Sequence, residues 1–494
     1  MTMKIQLLVP PGGYVAGRWA KGASMPPLGL LSLAAALEKN GIRIEVVASD
    51  VLHYSWSDIG QRIRCFGPDI VGVTTTTENR FDSFRLARIA KKINPAIVTV
   101  LGGPHITMTG RETLEHVNAV DILVLGEGEQ TLVELVHALE SGQDLSGVNG
   151  ICFRKPDGTI VSNKPGKAIE SLDDLPMPAR HLVPFEQYNF SVTTRNVSRK
   201  AANMITARGC PFACYFCSTP VTWGRKVRAL SPDRVMTEIR FLVDRYGVEF
   251  IWFYDDTFNH DTARLCAIMD RIIESGLEIK FACELRIDIL DRPVVEKMKQ
   301  AGLELAFFGV EAGAERVRRQ IAGKPFSIEK ARDFVRWSVE LNFIPAPFFI
   351  FSHHTETWDE ARQTLAVMKE MAAINPLADI SAAILHIYPG TPLEAIARRE
   401  GLLPKDFSWS RRQDMTRVPV LPAAQGHVPL FKDRLSWWQI ATLAAEWSLL
   451  CGKKIDRAKI KQAILPTGGI KTVAIGGLFG LAFLYQRIRQ WIGP

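Results

Sequence analysis

Through residues 1–142, short apolar runs alternate with stretches whose apolar residues recur every three or four positions. Residues 4–10, 43–47, 69–74, 97–101 and 121–125 read as strands, and 28–39, 81–93 and 129–139 read as helices. Alternation of this kind predicts a parallel sheet covered on both faces. Five strands suggest a flavodoxin-like doubly wound domain, whose ligand would lie beyond the carboxyl ends of the strands.

The pattern changes over residues 143–200. Ile151-Cys-Phe-Arg-Lys-Pro-Asp157-Gly158-Thr-Ile-Val reads as a hairpin around an Asp-Gly turn. Leu172-Asp-Asp-Leu-Pro176-Met-Pro178 follows, stiff and proline-punctuated, and the whole stretch reads as a connector. Strand-helix alternation then returns over 201–395, with strands at 202–207, 249–254, 280–285, 304–310, 346–351 and 380–387. Ser231-Pro232 reads as an N-cap with proline at the first helical position, and Gly247 closes the helix that follows. Thr357 and Glu360 have capping-box spacing. Six units predict a partial parallel barrel with its chemistry on the loops after the strands. Residues 396–494 read as mostly helical. The expected organisation is therefore 1–142, 143–200, 201–395 and 396–494.

A chain of 494 residues that is 47% hydrophobic and 23% charged is neither disordered, collagenous nor a coiled coil. No apolar run reaches the roughly 18 residues of a spanning helix. The first ten residues are too short and strand-like for a signal peptide, so a cytoplasmic protein is expected. Charge adds one feature. Residues 452–494 carry eight Lys or Arg against Asp456 alone, so nearly all of the net +8 sits there, beside the apolar run 473–485. An apolar and basic tail suits a segment lying on an anionic membrane surface, making 470–494 a candidate peripheral contact. A last helix docked on the body is the alternative. Positive charge confined to a tail argues against nucleic acid.

Eight cysteines do not make a disulfide scaffold. Cys65, Cys152, Cys266, Cys283 and Cys451 are scattered singly, as small buried hydrophobes are. Cys210-Pro-Phe-Ala-Cys214-Tyr-Phe-Cys217 is a cluster after the first strand of the second region. Three thiolates on one loop can hold three corners of an iron–sulfur cluster, leaving one iron open for chemistry. Zinc is the rival, but no fourth cysteine or histidine lies nearby in sequence.

This segment resembles the radical S-adenosylmethionine (SAM) enzymes, whose signature is such a triplet in a partial six-strand barrel. The resemblance makes Cys210, Cys214 and Cys217 ligands of a 4Fe-4S cluster and places Phe216 near the adenine of S-adenosyl-L-methionine. Trp252-Phe-Tyr-Asp255-Asp256, Glu284-Leu-Arg286-Ile-Asp288, Gly309-Val-Glu311-Ala-Gly313 and Tyr388-Pro-Gly390-Thr391-Pro392 resemble the family's later strand ends. They put Asp255, Asp256, Glu284, Arg286, Gly309 and Glu311 forward as SAM contacts. Each has a purely structural reading too: a helix cap, an ion pair, a tight turn. One segment departs from the pattern. Where related enzymes often have a Gly/Pro-rich turn, this chain has Ser352-His353-His354-Thr355-Glu356-Thr357. His353 and His354 are candidate substrate contacts, or residues of a solvated loop.

Residues 1 to about 395 together resemble the cobalamin-binding subclass of radical SAM enzymes. Pro26-Pro27-Leu28-Gly29-Leu30, Thr74-Thr75-Thr-Thr77, Gly102-Gly103-Pro104-His105 and Gly126-Glu127-Gly128-Glu129 carry that resemblance. It makes Thr74, Thr75, Gly102, Gly103, Pro104, Gly126, Glu127 and Gly128 cobalamin contacts, since glycines let backbone approach a bulky flat ligand. Many cobalamin domains carry Asp-x-His-x-x-Gly after the first strand. The corresponding loop, 11–27, has no histidine, and Asp50-Val-Leu-His53 has the wrong spacing and follows the second strand. No histidine ligand to cobalt is therefore expected.

The resemblance implies a 5′-deoxyadenosyl radical that abstracts hydrogen from an unactivated carbon, and methylcobalamin that delivers a methyl group. The expected activity is C-methylation of a small-molecule or lipid substrate such as a hopanoid, with an electron donor such as flavodoxin or ferredoxin. A radical oxidative cyclase or rearrangement enzyme and a non-catalytic cobalamin or redox sensor are the alternatives.

Overall fold

Strands that are apolar on both faces need cover on both sides, and the first sheet is built that way. Its parallel strands are β1 (Lys4–Leu8), β2 (Arg43–Val47), β3 (Ile70–Thr74), β4 (Val98–Gly102) and β5 (Ile122–Val124), in spatial order 2-1-3-4-5. This is the flavodoxin-type order, with the switch point between β1 and β3. Helices α1 (Leu28–Lys39) and α4 (Gly128–Ser141) cover one face; α2 (Trp56–Phe66) and α3 (Arg80–Ile93) cover the other. The 151–161 hairpin is present as β6 (Ile151–Arg154) and β7 (Ile160–Ser162), turning at Gly158 with φ +87°. It does more than connect: β6 pairs antiparallel with β5, so the first sheet continues beyond residue 142. The structure, a computed structural model, describes residues 3–11, 14–15, 18–19, 25–188, 190–413, 417–419 and 428–450.

The second sheet runs in sequence order: β8 (Ser191–Thr194), β9 (Val197–Met204), β10 (Phe250–Phe253), β11 (Lys280–Leu285), β12 (Leu303–Glu311), β13 (Ile344–Phe351) and β14 (Ser381–Ile384). β8 is an antiparallel edge and the other six are parallel, a half-barrel. The crossover helices are α5 (Pro232–Tyr246), α6 (Thr262–Ser275), α7 (Arg292–Gln300), α8 (Ile328–Glu340) and α9 (Trp358–Ile374). Their ends obey local chemistry. The Ser231 hydroxyl accepts from the Arg234 N–H at 3.2 Å, and Gly247 closes α5 in the left-handed region. Thr357 and Glu360 form a reciprocal capping box on α9.

Side-chain parity fixes the inner face. Ala201, Phe250, Ala282, Leu305 and Ala346 join the core shared with the first domain, while Met204, Phe253, Cys283, Phe308 and Phe349 pack under the helices. The C-terminal segment ties the two sheets together. After α10 (Pro392–Arg399), buried Trp409 donates its indole N–H to Glu394 at 2.8 Å, and its carbonyl accepts from Arg80 of α3 at 2.8 Å. Helix α11 (Trp437–Leu450) ends the described chain, so the 470–494 tail lies outside the described residues. Among the described residues no helix is long and apolar enough to cross a membrane.

Candidate functional site

The cysteine loop starts where β9 ends. Gly209, at φ +100°, makes the turn into it, and a Cβ there would stand 2.5 Å from the Lys226 carbonyl oxygen. Buried Asp255 clamps the approach: its carboxylate accepts from the N–H groups of Thr206 (2.5 Å) and Ala207 (3.0 Å) and from the Thr206 hydroxyl. Both oxygens of Asp255, put forward above as a SAM contact, are thus engaged in holding the backbone that leads into the cysteine loop. The Cys217 N–H donates to the Cys214 carbonyl at 3.1 Å, drawing that turn tight. Cys210, Cys214 and Cys217 are half-buried and free of disulfides. Burial pushes the Cys214 and Cys217 thiols up, while nearby Lys324 and Arg286 pull Cys214 back; a coordinated metal would remove the proton outright. Arg286 is buried against this loop: it lies 3.8 Å over the Phe212 ring, pairs with Asp288 at 2.7 Å and reaches Cys214 Sγ at 3.9 Å.

The strand ends around the loop carry a mixed-charge cluster. Glu311 sits at φ +67° on a β12 irregularity, and its Oε1 meets Lys324 Nζ at 3.1 Å in a buried pair. Its Oε2 is buried without a partner. A Cβ at Gly309 would stand 2.1 Å from that carboxylate, so only glycine leaves it room. Asp256 is exposed beside the loop and accepts from the Thr219 hydroxyl at 2.7 Å. Burial, with Asp256 adding repulsion and Lys324 opposing, pushes the Glu284 carboxyl up to about 7. Two or three carboxylates and one ammonium suit a zwitterionic amino-acid end such as that of SAM, with the thiols beside them for a cluster. Lys324 escaped the sequence reading because no local spacing links it to Glu311; a tertiary fold alone brings them together.

A cleft lies between the two sheets. Thr74, Gly102, Gly103, Pro104, Gly126, Glu127 and Gly128 line it from the first domain, and Ile205, Arg208, Trp223 and Arg234 from the second. It holds about 1530 Å³ of non-atom space, open solvent included. Gly29 and Gly126 have nothing within 4 Å of where a Cβ would stand, so side chains there would fill the cleft. Gly103, at φ +101°, lies against the Thr75 backbone, where a Cβ would come within 2.8 Å of its carbonyl oxygen. Thr75 itself is buried behind this wall, its hydroxyl unpartnered. A deep, glycine-walled slot fits a bulky flat ligand such as cobalamin. Glu127 lines the cleft with its carboxylate engaged: Arg228 forks onto both oxygens at 2.5 and 2.8 Å, across the domain boundary. His53 is exposed on the turn after β2, the edge strand.

His353 and His354 are not on a solvated loop. His353 is buried, with Nδ1 3.0 Å from the Tyr215 hydroxyl; His354 pairs with Glu400 at 2.8 Å.

Residues 21–136 match the B12 binding domain family, and residues 204–368 match the radical SAM superfamily. An uncharacterized methyltransferase of Pyrococcus horikoshii is 34% identical over 425 residues, spanning 85% of this chain and 88% of that protein. This chain belongs to the cobalamin-binding radical SAM family. The family's two domain matches take in the glycine-walled cleft and the cysteine loop respectively. Among other relatives, the anaerobic magnesium-protoporphyrin IX monomethyl ester cyclase of Rubrivivax gelatinosus is 30% identical, over 73% of this chain and 63% of that one. The hopanoid C-3 methylase of Methylococcus capsulatus is 26% identical, over 84% and 78%. The fold matches that of the radical SAM methyltransferase TsrM from Kitasatospora setae, solved with cobalamin and a [4Fe-4S] cluster, with TM-score 0.70, 17% identity and 99% of both chains covered.

Proposed function

We propose that this enzyme methylates a carbon of a hydrophobic small molecule, held between a cobalamin in the cleft and a cluster on Cys210, Cys214 and Cys217. The observation that carries the reading is one stretch of chain: Ile205 and Arg208 line the cleft, and Cys210 opens the thiol loop. Bound in these two places, cobalamin would supply a methyl group, and the cluster would supply the one electron that cleaves SAM to the radical that abstracts a hydrogen atom. The chain's own work is to hold, orient and keep water out. Phe216, Glu284, Gly309, Glu311 and Lys324 would receive SAM, with Arg286 holding the thiol loop. Thr74, Gly102, Gly103, Pro104, Gly126 and Gly128 would receive the corrin.

The inner mouth of the half-barrel supports the substrate class. Trp252 and Phe307 stack at 5.1 Å, 11° apart, as its floor. Ile205 and Phe348, on the same inward parity, remain 39% and 37% exposed. Large apolar surface held open inside a barrel suits an apolar substrate, and relatives named for a hopanoid and for a protoporphyrin ester agree with that. Electrons would come from a flavodoxin or ferredoxin type of donor.

The test is anaerobic purification from cobalamin-fed cells, followed by turnover with methyl-labelled SAM and a total lipid extract. About four irons and one cobalamin per chain, formation of 5′-deoxyadenosine and label in a lipid product are expected. Iron without cobalamin, or 5′-deoxyadenosine without label, would overturn methylation and favour a cyclase-type oxidation. The basic, apolar tail would keep the enzyme at an anionic membrane surface, close to such a substrate. Deleting residues 470–494 should abolish co-sedimentation with anionic liposomes; unchanged sedimentation would refute the membrane contact.

A further inference from the structure

We propose that His353 is the positioning residue of the thiol loop: its Nδ1 accepts a hydrogen bond from the Tyr215 hydroxyl and so fixes the Cys214–Cys217 turn and the neighbouring Phe216. Tyr215 lies inside that turn, and nothing in residues 209–218 forms a regular helix or strand that could hold it. What holds it comes from the far side of the half-barrel. The Tyr215 hydroxyl is 3.0 Å from His353 Nδ1 and accepts the His354 N–H at 3.2 Å. The Tyr215 carbonyl accepts the Leu393 N–H at 3.0 Å. The His353 ring also meets Phe216 edge-on, centroids 6.0 Å apart.

The loop bearing His353 is itself rigid. The Ser352 and His353 N–H groups both donate to Glu356 Oε2, at 2.6 and 3.1 Å. The Ser352 hydroxyl donates to the Phe431 carbonyl at 2.7 Å. Arg316 holds the Thr355 carbonyl at 2.9 Å. Ser352 and Thr355 stand at φ +70° and +60°, so this loop keeps left-handed turns with residues other than glycine. Burial, against a weaker hold from the Glu311 backbone, pushes the His353 imidazole down to about 3. A neutral imidazole has one bare nitrogen, and because the Tyr215 oxygen already accepts the His354 N–H, the tautomer with bare Nδ1 gives the hydroxyl an acceptor for its own hydrogen. Ligands on an irregular loop need such outside support to keep their geometry.

The inference builds on the cluster reading, but its first test does not need the cluster. In metal-free full-length protein, iodoacetamide labelling of Cys214 and Cys217, referenced to exposed Cys65, should run ~10-fold faster in His353→Ala and Tyr215→Phe. His353→Asn, which keeps an acceptor near the Nδ1 position, should restore the slow rate. After reconstitution, His353→Ala and Tyr215→Phe should raise KM for SAM ~10-fold with a smaller change in kcat, and alter the electron paramagnetic resonance signal of the reduced cluster. Tyr215→Phe keeps the ring packing and serves if His353→Ala does not fold. Wild-type labelling rates with an unchanged KM and signal in both variants would overturn the proposal. A wild-type protein that takes up no iron would instead overturn the cluster reading, with the labelling rates still deciding this one.

Discussion

Alanine at Cys214 should abolish iron loading and SAM cleavage while leaving the fold intact. The thiol is half-buried at a loop, outside the hydrophobic cores, and makes no disulfide. Its removal therefore opens no core cavity, and the thermal midpoint should stay near wild type, as for changes within ~0.5 kcal/mol. The cluster has no such tolerance. Loss of an outer partner commonly costs about 10–100-fold in metal affinity, and loss of a ligand should exceed ~100-fold. Iron and sulfide analysis after reconstitution, with 5′-deoxyadenosine measured in parallel, checks this, and Cys210→Ala and Cys217→Ala should behave alike. Full SAM cleavage by any of the three would refute the assignment.

Glu127→Gln should cost about 3–5 kcal/mol, because it leaves a buried guanidinium without its counter-charge. Arg228 and Glu127 are both almost fully buried, and Arg208 lies 3.6 Å from the same carboxylate. Burial favours the neutral acid, yet the Arg228 fork, the Ile169 N–H and Arg208 outweigh it and hold the carboxyl below its usual range. A depressed carboxyl stabilises the fold above its unfolded value, and the benefit is lost as pH falls through the folded one. Wild-type stability should therefore drop below about pH 4.5, and the variant should show a shallower acid dependence. Denaturant unfolding of the cofactor-free protein between pH 7 and 3 measures both. Were Glu127 a cobalamin contact alone, as its motif suggests, cofactor-free stability would not change.

Local chemistry was legible in the sequence, and pairings between distant elements were not. β2 and β11 fall on the expected bounds. Helices α5 and α9 begin at hydroxyl caps that can be read from four consecutive positions. Helix α2 was missed although Ser55 and Asp58 form a capping box, because its core face is narrow and arginine-flanked. The 151–161 hairpin was readable, but its pairing with β5 depends on an edge that no periodicity reveals. The same limit separates the motifs from their roles. Asp255 and Glu127 stand where family patterns put them, but their partners at Thr206 and Arg228 come from other elements. His353 looked like part of an open loop because Tyr215 lies 138 positions away.

That separation sets a timetable for the nascent chain. At about 5–20 residues per second, His353 leaves the ribosome roughly 7–28 s after Tyr215. Leu393 and Trp409 follow later still. On the role proposed for His353, the three thiols lack that support until then and should be more open to oxidation. Cluster delivery should then follow completion of the chain, and low oxygen during synthesis should matter as much to yield as iron supply.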